Sequence, residues 1–445
     1  MNLLNLTHII FLLLIAVSSI IISFFDIFGL RILLVVCVGI LLIVLVIKTS
    51  GLLRISYSTF FILSLLLSFQ YKIPVENVID ALISHTIFIA LFVCTPLIKV
   101  PIESGRYLEK LIPKMREIPY ERLSPMLIIS NFILCSFINV GGIRVIGEFF
   151  ADSMKRSPVT FGAILSRSFS SAAFWSPYFS AFSIAIAYSS SSPALILGIG
   201  LFFTIIVLLF WIASFLINKP NEENLVTFSK NDILTIGIII FYFCLLVISV
   251  VLLSHFTNYD VILIISLVSI VFSFLWCVVF GKFMSYLRAL KKFVTKDLLN
   301  IREEAFLFIS IGFFASTLMN ISWEIHLPTL PGNSPFFVFL FIILFNLVVV
   351  AIAITGVHHL VTITIITATV DWENIGVVPV IYAMTILLAW WLSSMISPFS
   401  PPNMITARIV NRTPFYVGIY TNGLFGIYVL IGAAIYLTII NSILS

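Results

Sequence analysis

Charge is what this 445-residue sequence has least of: Asp, Glu, Lys and Arg together make up 10% of it, against 61% hydrophobic residues. A soluble fold of this length has no interior large enough for so much apolar surface, so the soluble classes are excluded. Cysteine is sparse too. Cys37, Cys94, Cys135, Cys244 and Cys277 lie in apolar stretches with neither CxxC nor metal-ligand spacing, which leaves packing as their role. No HExxH, no GxGD-type protease pair and no nucleotide-binding motif occurs, so ATP is not expected to drive the protein. The ten-residue alternation of a membrane barrel is missing. So are a basic n-region and a small-residue cleavage site around the first apolar stretch, about 8 to 25, which reads as a retained helix. The net charge of +5 does not imply nucleic acid, because the basic residues cluster in loops, where orientation in a membrane explains them.

What the chain does have is apolar segments, many longer than the roughly 20 residues a helix needs to cross a bilayer. The expected class is an all-α polytopic membrane protein. Twenty of the 24 Lys and Arg fall in six groups: Lys48 and Arg54, Lys99 to Arg122, Lys155 and Arg156, Lys219 and Lys230, Lys282 to Arg302, and Arg408 and Arg412. Placing all six in the cytoplasm leaves outer loops poor in positive charge, with Arg31 and Lys72 set against Asp26, Glu76, Asp80, Asp260, Glu324, Asp371 and Glu373. Four spans follow, near 8–25, 30–47, 52–69 and 77–98, and then an interfacial helix over 101–124. Three apolar stretches separate Arg122 from Lys219, and three crossings cannot return to the same side. The first, about 125–150, is therefore expected to be a re-entrant hairpin turning at Asn139-Val140-Gly141-Gly142. The second, about 158–188, is too long for a simple span and breaks at Ser176-Pro177-Tyr178. The third is 193–217.

The second half repeats the plan. Spans near 233–254 and 260–280, a basic segment over 282–300 and a span near 303–322 lead to an outer loop with Glu324 and His326. A hairpin over about 336–370 turns at Thr355-Gly356-Val357-His358-His359. A helix over about 376–410 breaks at Ser397-Pro398-Phe399-Ser400-Pro401-Pro402-Asn403, and a last span covers 415–441. The breaks follow their tips at similar distances, 34 residues from Gly142 to Ser176 and 41 from Gly356 to Ser397. The expectation is about 11 crossings arranged as two inverted-topology repeats, 1–218 and 219–445, joined at the polar segment 218–232. The N-terminus is expected in the cytoplasm and the C-terminus outside, in the cell membrane.

On these elements, above all the interfacial helix after the fourth span, the paired hairpins, the two broken helices and the Pro-Pro-Asn of the second break, the chain resembles the ion transporter superfamily. That superfamily includes divalent anion/sodium symporters, arsenite and citrate carriers, and the large membrane subunits of tripartite binding-protein carriers. The resemblance implies that the tips and unwound loops form the solute and cation sites, that a substrate domain moves like an elevator, and that the protein is a homodimer through its scaffold. The tips depart from the Ser-Asn-Thr of the sodium and dicarboxylate symporters, so their chemistry does not carry over.

Candidate solute contacts are Asn139, Gly141, Gly142, Arg144, Ser176, Ser180, Thr355, Gly356, His358, Ser397, Ser400 and Asn403, which place neutral oxygens, amides and exposed backbone in the four non-helical places. Asn139, Ser176, Thr355 and Asn403 are the candidates for a sodium ion, and His358 with His359 for a coupling proton. Arg144, within the membrane zone, either balances an anionic solute or pairs with Glu148 one turn on. Arg167 reads as snorkelling or paired rather than as a ligand contact. The function these residues suggest is secondary transport of a small organic anion, di- or tricarboxylate-like, coupled to Na+ or H+ with no resident cofactor. Two alternatives stay open: a membrane-embedded enzyme acting on lipid-linked substrates, and a tripartite-carrier subunit that works with a secreted binding protein.

Overall fold

The computed structural model describes residues 3–25, 27–155, 157–216, 229–321, 334–370 and 372–445. Arg156, Lys219, most of the 218–232 linker, the loop with Glu324 and His326, and Asp371 lie outside the described residues. Every described element is a helix. Ten stretches among them are long and apolar enough to cross a bilayer: Leu3–Phe24, Phe28–Lys48, Leu53–Gln70, Val75–Ser104, Pro193–Phe215, Lys230–Phe256, Val261–Val279, Pro335–Ile354, Pro379–Ile409 and Tyr416–Leu444. The protein is thus an all-α polytopic membrane protein. One of the ten, Pro335–Ile354, is the expected first arm of the second hairpin. The expected span near 303–322 appears as the helix Arg302–Met319, which carries Arg302, Glu303 and Glu304 in its first turn.

The chain divides into two compact units, and each draws on both halves of the sequence. The first contains Met1–Gly105 and Leu246–His326. In it Gly51–Gln70 packs on Arg302–Met319 through Tyr57 against Phe306, ring centroids 5.4 Å apart, and Phe60 against Phe314 at 5.2 Å. Its fourth span is interrupted at His85 and Thr86, where no proline or glycine announces a break. The Thr86 hydroxyl donates to the Ile83 carbonyl at 2.7 Å and accepts from Ser19 at 2.8 Å. The His85 ring fills the space beside Gly312, where any side chain would collide with it.

The second unit contains Arg106–Leu245 and Leu327–Ser445, and it holds both hairpins and both broken helices. The expected interfacial helix over 101–124 is two short ones, Lys99–Ser104 and Tyr107–Arg116, with Arg106 between them at φ +50°. The unit boundary falls at that turn. The first hairpin has a 19-residue arm, Tyr120–Ile138, and an 11-residue arm, Val140–Phe150. The second has a 20-residue arm, Pro335–Ile354, and an 11-residue arm, His359–Thr369. Eleven residues of helix are about 16 Å long, half the hydrocarbon thickness, so neither second arm spans a bilayer alone. At the centre lies Pro379–Ile396, buried at every position from Val380 onward, against Pro335–Ile354, Ser180–Ser189, Pro158–Ala172 and Asn422–Leu444.

Candidate functional site

The second break answers a backbone problem that its own prolines create. Pro398 has no N–H to give the Ser394 carbonyl one turn back. The Ser400 hydroxyl donates to that carbonyl instead, at 2.7 Å. The Asn403 amide donates to the carbonyls of Met395, at 2.8 Å, and Ser397, at 2.9 Å. Asn403 is fully buried, and its oxygen accepts from Ser166 at 2.7 Å. Asn422 adds donors to Ser166, Met395 and Val417. Side chains thus replace the helix ladder across the second break.

The two breaks are tied to their hairpins in the same way. The Ser176 hydroxyl accepts from the Tyr178 N–H at 3.3 Å and donates to the Ser136 carbonyl, one turn before the first tip. The Ser397 hydroxyl accepts from the Phe399 N–H, also at 3.3 Å, and donates to the Ala353 carbonyl, just before the second tip. The backbone follows suit: the N–H of Phe179 reaches the Ser176 carbonyl and that of Ser400 the Ser397 carbonyl, both at 3.2 Å. The following helix in each case sets a glycine against a break carbonyl, Gly200 on Phe174 and Gly418 on Ile396, where a Cβ would collide. Removing the Ser176 latch takes its partner from the Ser136 carbonyl, at a cost of about 1–3 kcal/mol, whereas the Ala353 carbonyl keeps the Gly356 N–H at 3.2 Å, so that removing the Ser397 latch costs about 0.5–1.5 kcal/mol. Ser176→Ala is therefore expected to speed amide hydrogen exchange at residues 139–142 about tenfold or more while leaving 355–360 unchanged, and Ser397→Ala to speed exchange at 355–360 by about threefold or more while leaving 139–142 unchanged. Equal acceleration at both tips would refute separate latches.

At the first tip, Asn139 holds φ +55° with ψ −136°, outside the left-handed helical region, and its side-chain oxygen accepts from the Val140 N–H at 2.8 Å. Gly142 lies directly on Cys135, and Gly141 on the Ile138 side chain. Arg144 is exposed and forms no ion pair with Glu148 among the described residues. At the second tip, Thr355 is exposed and its hydroxyl donates to the Ile352 carbonyl at 2.7 Å. Gly356, at φ +100°, takes a backbone conformation that favours glycine and faces the Phe399 ring of the break. His358 accepts from the Leu360 N–H at 3.2 Å, which puts its ring proton on Nε2. Its ring stacks on His359 at 4.3 Å, and His359 meets the edge of Trp390 at the same separation. Ser180 opens the helix that resumes after the first break.

The structure brings the two halves of the site together through Ser166 and Asn403, and through Phe174 against Trp391, ring centroids 5.1 Å apart. Nine of the seventeen buried polar atoms without a hydrogen-bond partner among the described residues lie on the two broken helices and the second arm of the second hairpin. They are the hydroxyls of Ser168, Ser170, Tyr178 and Ser183 and the indole nitrogen of Trp175 on the first broken helix. On the second they are Trp391 Nε1, Ser393 Oγ and Thr406 Oγ1, with His359 Nε2 beside it. Buried groups of this kind are normally satisfied, so they are the atoms left to meet a solute, an ion or water. Of the four oxygens expected for sodium, Asn139 and Ser176 belong to the first hairpin and break, Thr355 and Asn403 to the second. The Asn139, Thr355 and Asn403 oxygens each hold one bond and the Ser176 hydroxyl two, and each oxygen keeps a lone pair in reserve.

Sequence reasoning missed Ser166, Thr421 and Asn422. The last helix opens with a π-helical stretch, Tyr416–Thr421, and Asn422 follows it, fully buried. A polar Thr-Asn pair inside the last apolar span was the available signal. No family model matches the chain, and no curated protein sequence matches it.

Proposed function

We propose that the protein is a secondary active transporter that moves a small organic anion, di- or tricarboxylate-like, across the cytoplasmic membrane, coupled to Na+ or H+. The observation that carries this reading is the pair of Ser-Pro breaks, in which each serine makes the same two hydrogen bonds, one within the break and one to its own hairpin. Duplicated, interrupted helices beside non-spanning hairpins are how transporters expose backbone and polar side chains to a solute at membrane depth. The unpartnered polar atoms on those helices supply the binding groups, and the resemblance to the ion transporter superfamily supplies inverted repeats, elevator-type alternating access and a homodimer. On this reading the second unit carries the solute. Arg144, exposed one turn past the first tip, attracts the anion.

The test is uptake of labelled succinate and citrate into liposomes holding the purified protein, with sodium and pH gradients imposed separately. Accumulation under one gradient is expected, and it names the coupling ion. Arg144→Ala is expected to cut that uptake at least tenfold in protein that still folds. If neither compound accumulates under either gradient with folded protein, the organic-anion reading fails.

A further inference from the structure

Arg167 lies nine residues into the helix that begins at Pro158, about 14 Å along its axis and well inside an apolar unit. A cation at such a depth is costly and is ordinarily paired with an acid. Here its partners are all neutral. Nε donates to the Asn422 side-chain oxygen at 3.0 Å, and one Nη donates to the Thr421 carbonyl at 2.8 Å. The guanidinium lies over the rings of Phe425, at 4.2 Å, and Trp211, at 5.2 Å. Among the described residues no carboxylate comes within 4.0 Å of it. A guanidinium has five N–H donors, and these bonds use two. The other Nη makes no hydrogen bond within the described protein, yet it is not among the fully enclosed polar atoms.

This cation sits next to the break. Asn422, which holds it, also donates to Ser166 and to the Met395 carbonyl, and Ser166 donates to Asn403. The aromatic rings and the two neutral acceptors fix the plane of the guanidinium while leaving its charge unbalanced. A rigid planar fork with a free edge is the arrangement that takes an oxyanion in a bidentate grip.

We infer that Arg167 is the internal binding residue for one carboxylate of the solute, engaged through the guanidinium edge that Asn422 and Thr421 leave free. The inference rests on the anion-carrier reading for its substrate class, but the site itself is testable without transport. Trp211 lies over the same guanidinium, so it reports on an anion bound there. The probe is iodide, an anionic quencher, applied to the purified protein. The Trp211 component is the difference between wild type and Trp211→Phe.

Iodide is expected to quench that component with saturation, and succinate to reverse the quenching. Arg167→Gln should reduce the iodide effect at least fivefold, while quenching by neutral acrylamide changes less than twofold. Arg167→Lys, which keeps the charge without the fork and guards against misfolding of the Gln variant, should retain part of the iodide effect and lose the competition by succinate. Iodide quenching that is absent in wild type, or the same in Arg167→Gln as in wild type, would overturn the inference. A residue that only positioned Asn422 would leave the iodide-to-acrylamide ratio unmoved. Saturable iodide binding without uptake of either labelled compound would sink the transporter reading and leave the anion site standing; uptake without an iodide effect would do the opposite.

Discussion

Asn403→Ala is expected to lower stability by about 2–4 kcal/mol, from three lost hydrogen bonds at roughly 1 kcal/mol each and a small cavity. The side chain is fully buried and bridges three partners: the carbonyls of Met395 and Ser397 and the hydroxyl of Ser166. Neither carbonyl is orphaned by the change, because Asn422 still reaches Met395 and the Ser400 N–H still reaches Ser397. The loss is thus a weakening of the break and not its collapse. Asn403→Asp is the sharper test. It keeps the size and places a carboxylate oxygen where two carbonyls expect a donor, so it should be less stable than the Ala variant. Thermal unfolding of the purified protein reads both. An Asp variant as stable as wild type would mean that the amide does not hold the break.

Gly142→Ala should cost about 1–3 kcal/mol and abolish the proposed uptake, because an added Cβ would stand 2.8 Å from the Cys135 backbone nitrogen and 3.1 Å from its Cα. Backbone cannot rotate aside as a side chain does, so the two arms of the first hairpin must part. Gly141→Ala is the internal control. Its Cβ would meet only the Ile138 side chain, at 2.6 Å from a methyl group, and that residue can change rotamer. The Gly141 variant should therefore keep most of the uptake. If the order of the two were reversed, the close approach of the arms at Gly142 would not be what shapes the tip.

Neighbouring residues show what was and was not legible. Pro177 and Pro398 announced their breaks because a missing N–H is a property of the residue itself, wherever the chain goes. The 11-residue second arms follow from glycine-bearing tips and apolar length, which are also local. The interruption at His85 and Thr86 carried no such mark: it depends on a gap beside Gly312, more than 200 residues away in sequence. The two membrane-zone arginines look alike as sequence. Arg144 offered an obvious partner at Glu148 and does not use it, whereas Arg167 had none in view and is held by Asn422 and Thr421, 255 and 254 residues on. Spacing along one helix suggests a pair. Only packing brings distant acceptors to a guanidinium.

By itself, then, the sequence determined the class of protein, the apolar helices and the two proline breaks, since hydrophobic length and proline act on the chain locally. The tertiary structure decided which hydroxyl latches which hairpin, which amide replaces the lost ladder, and which cation lies beside the break. Those outcomes depend on hydrogen bonds between residues far apart in sequence, and such bonds exist only once the helices have packed.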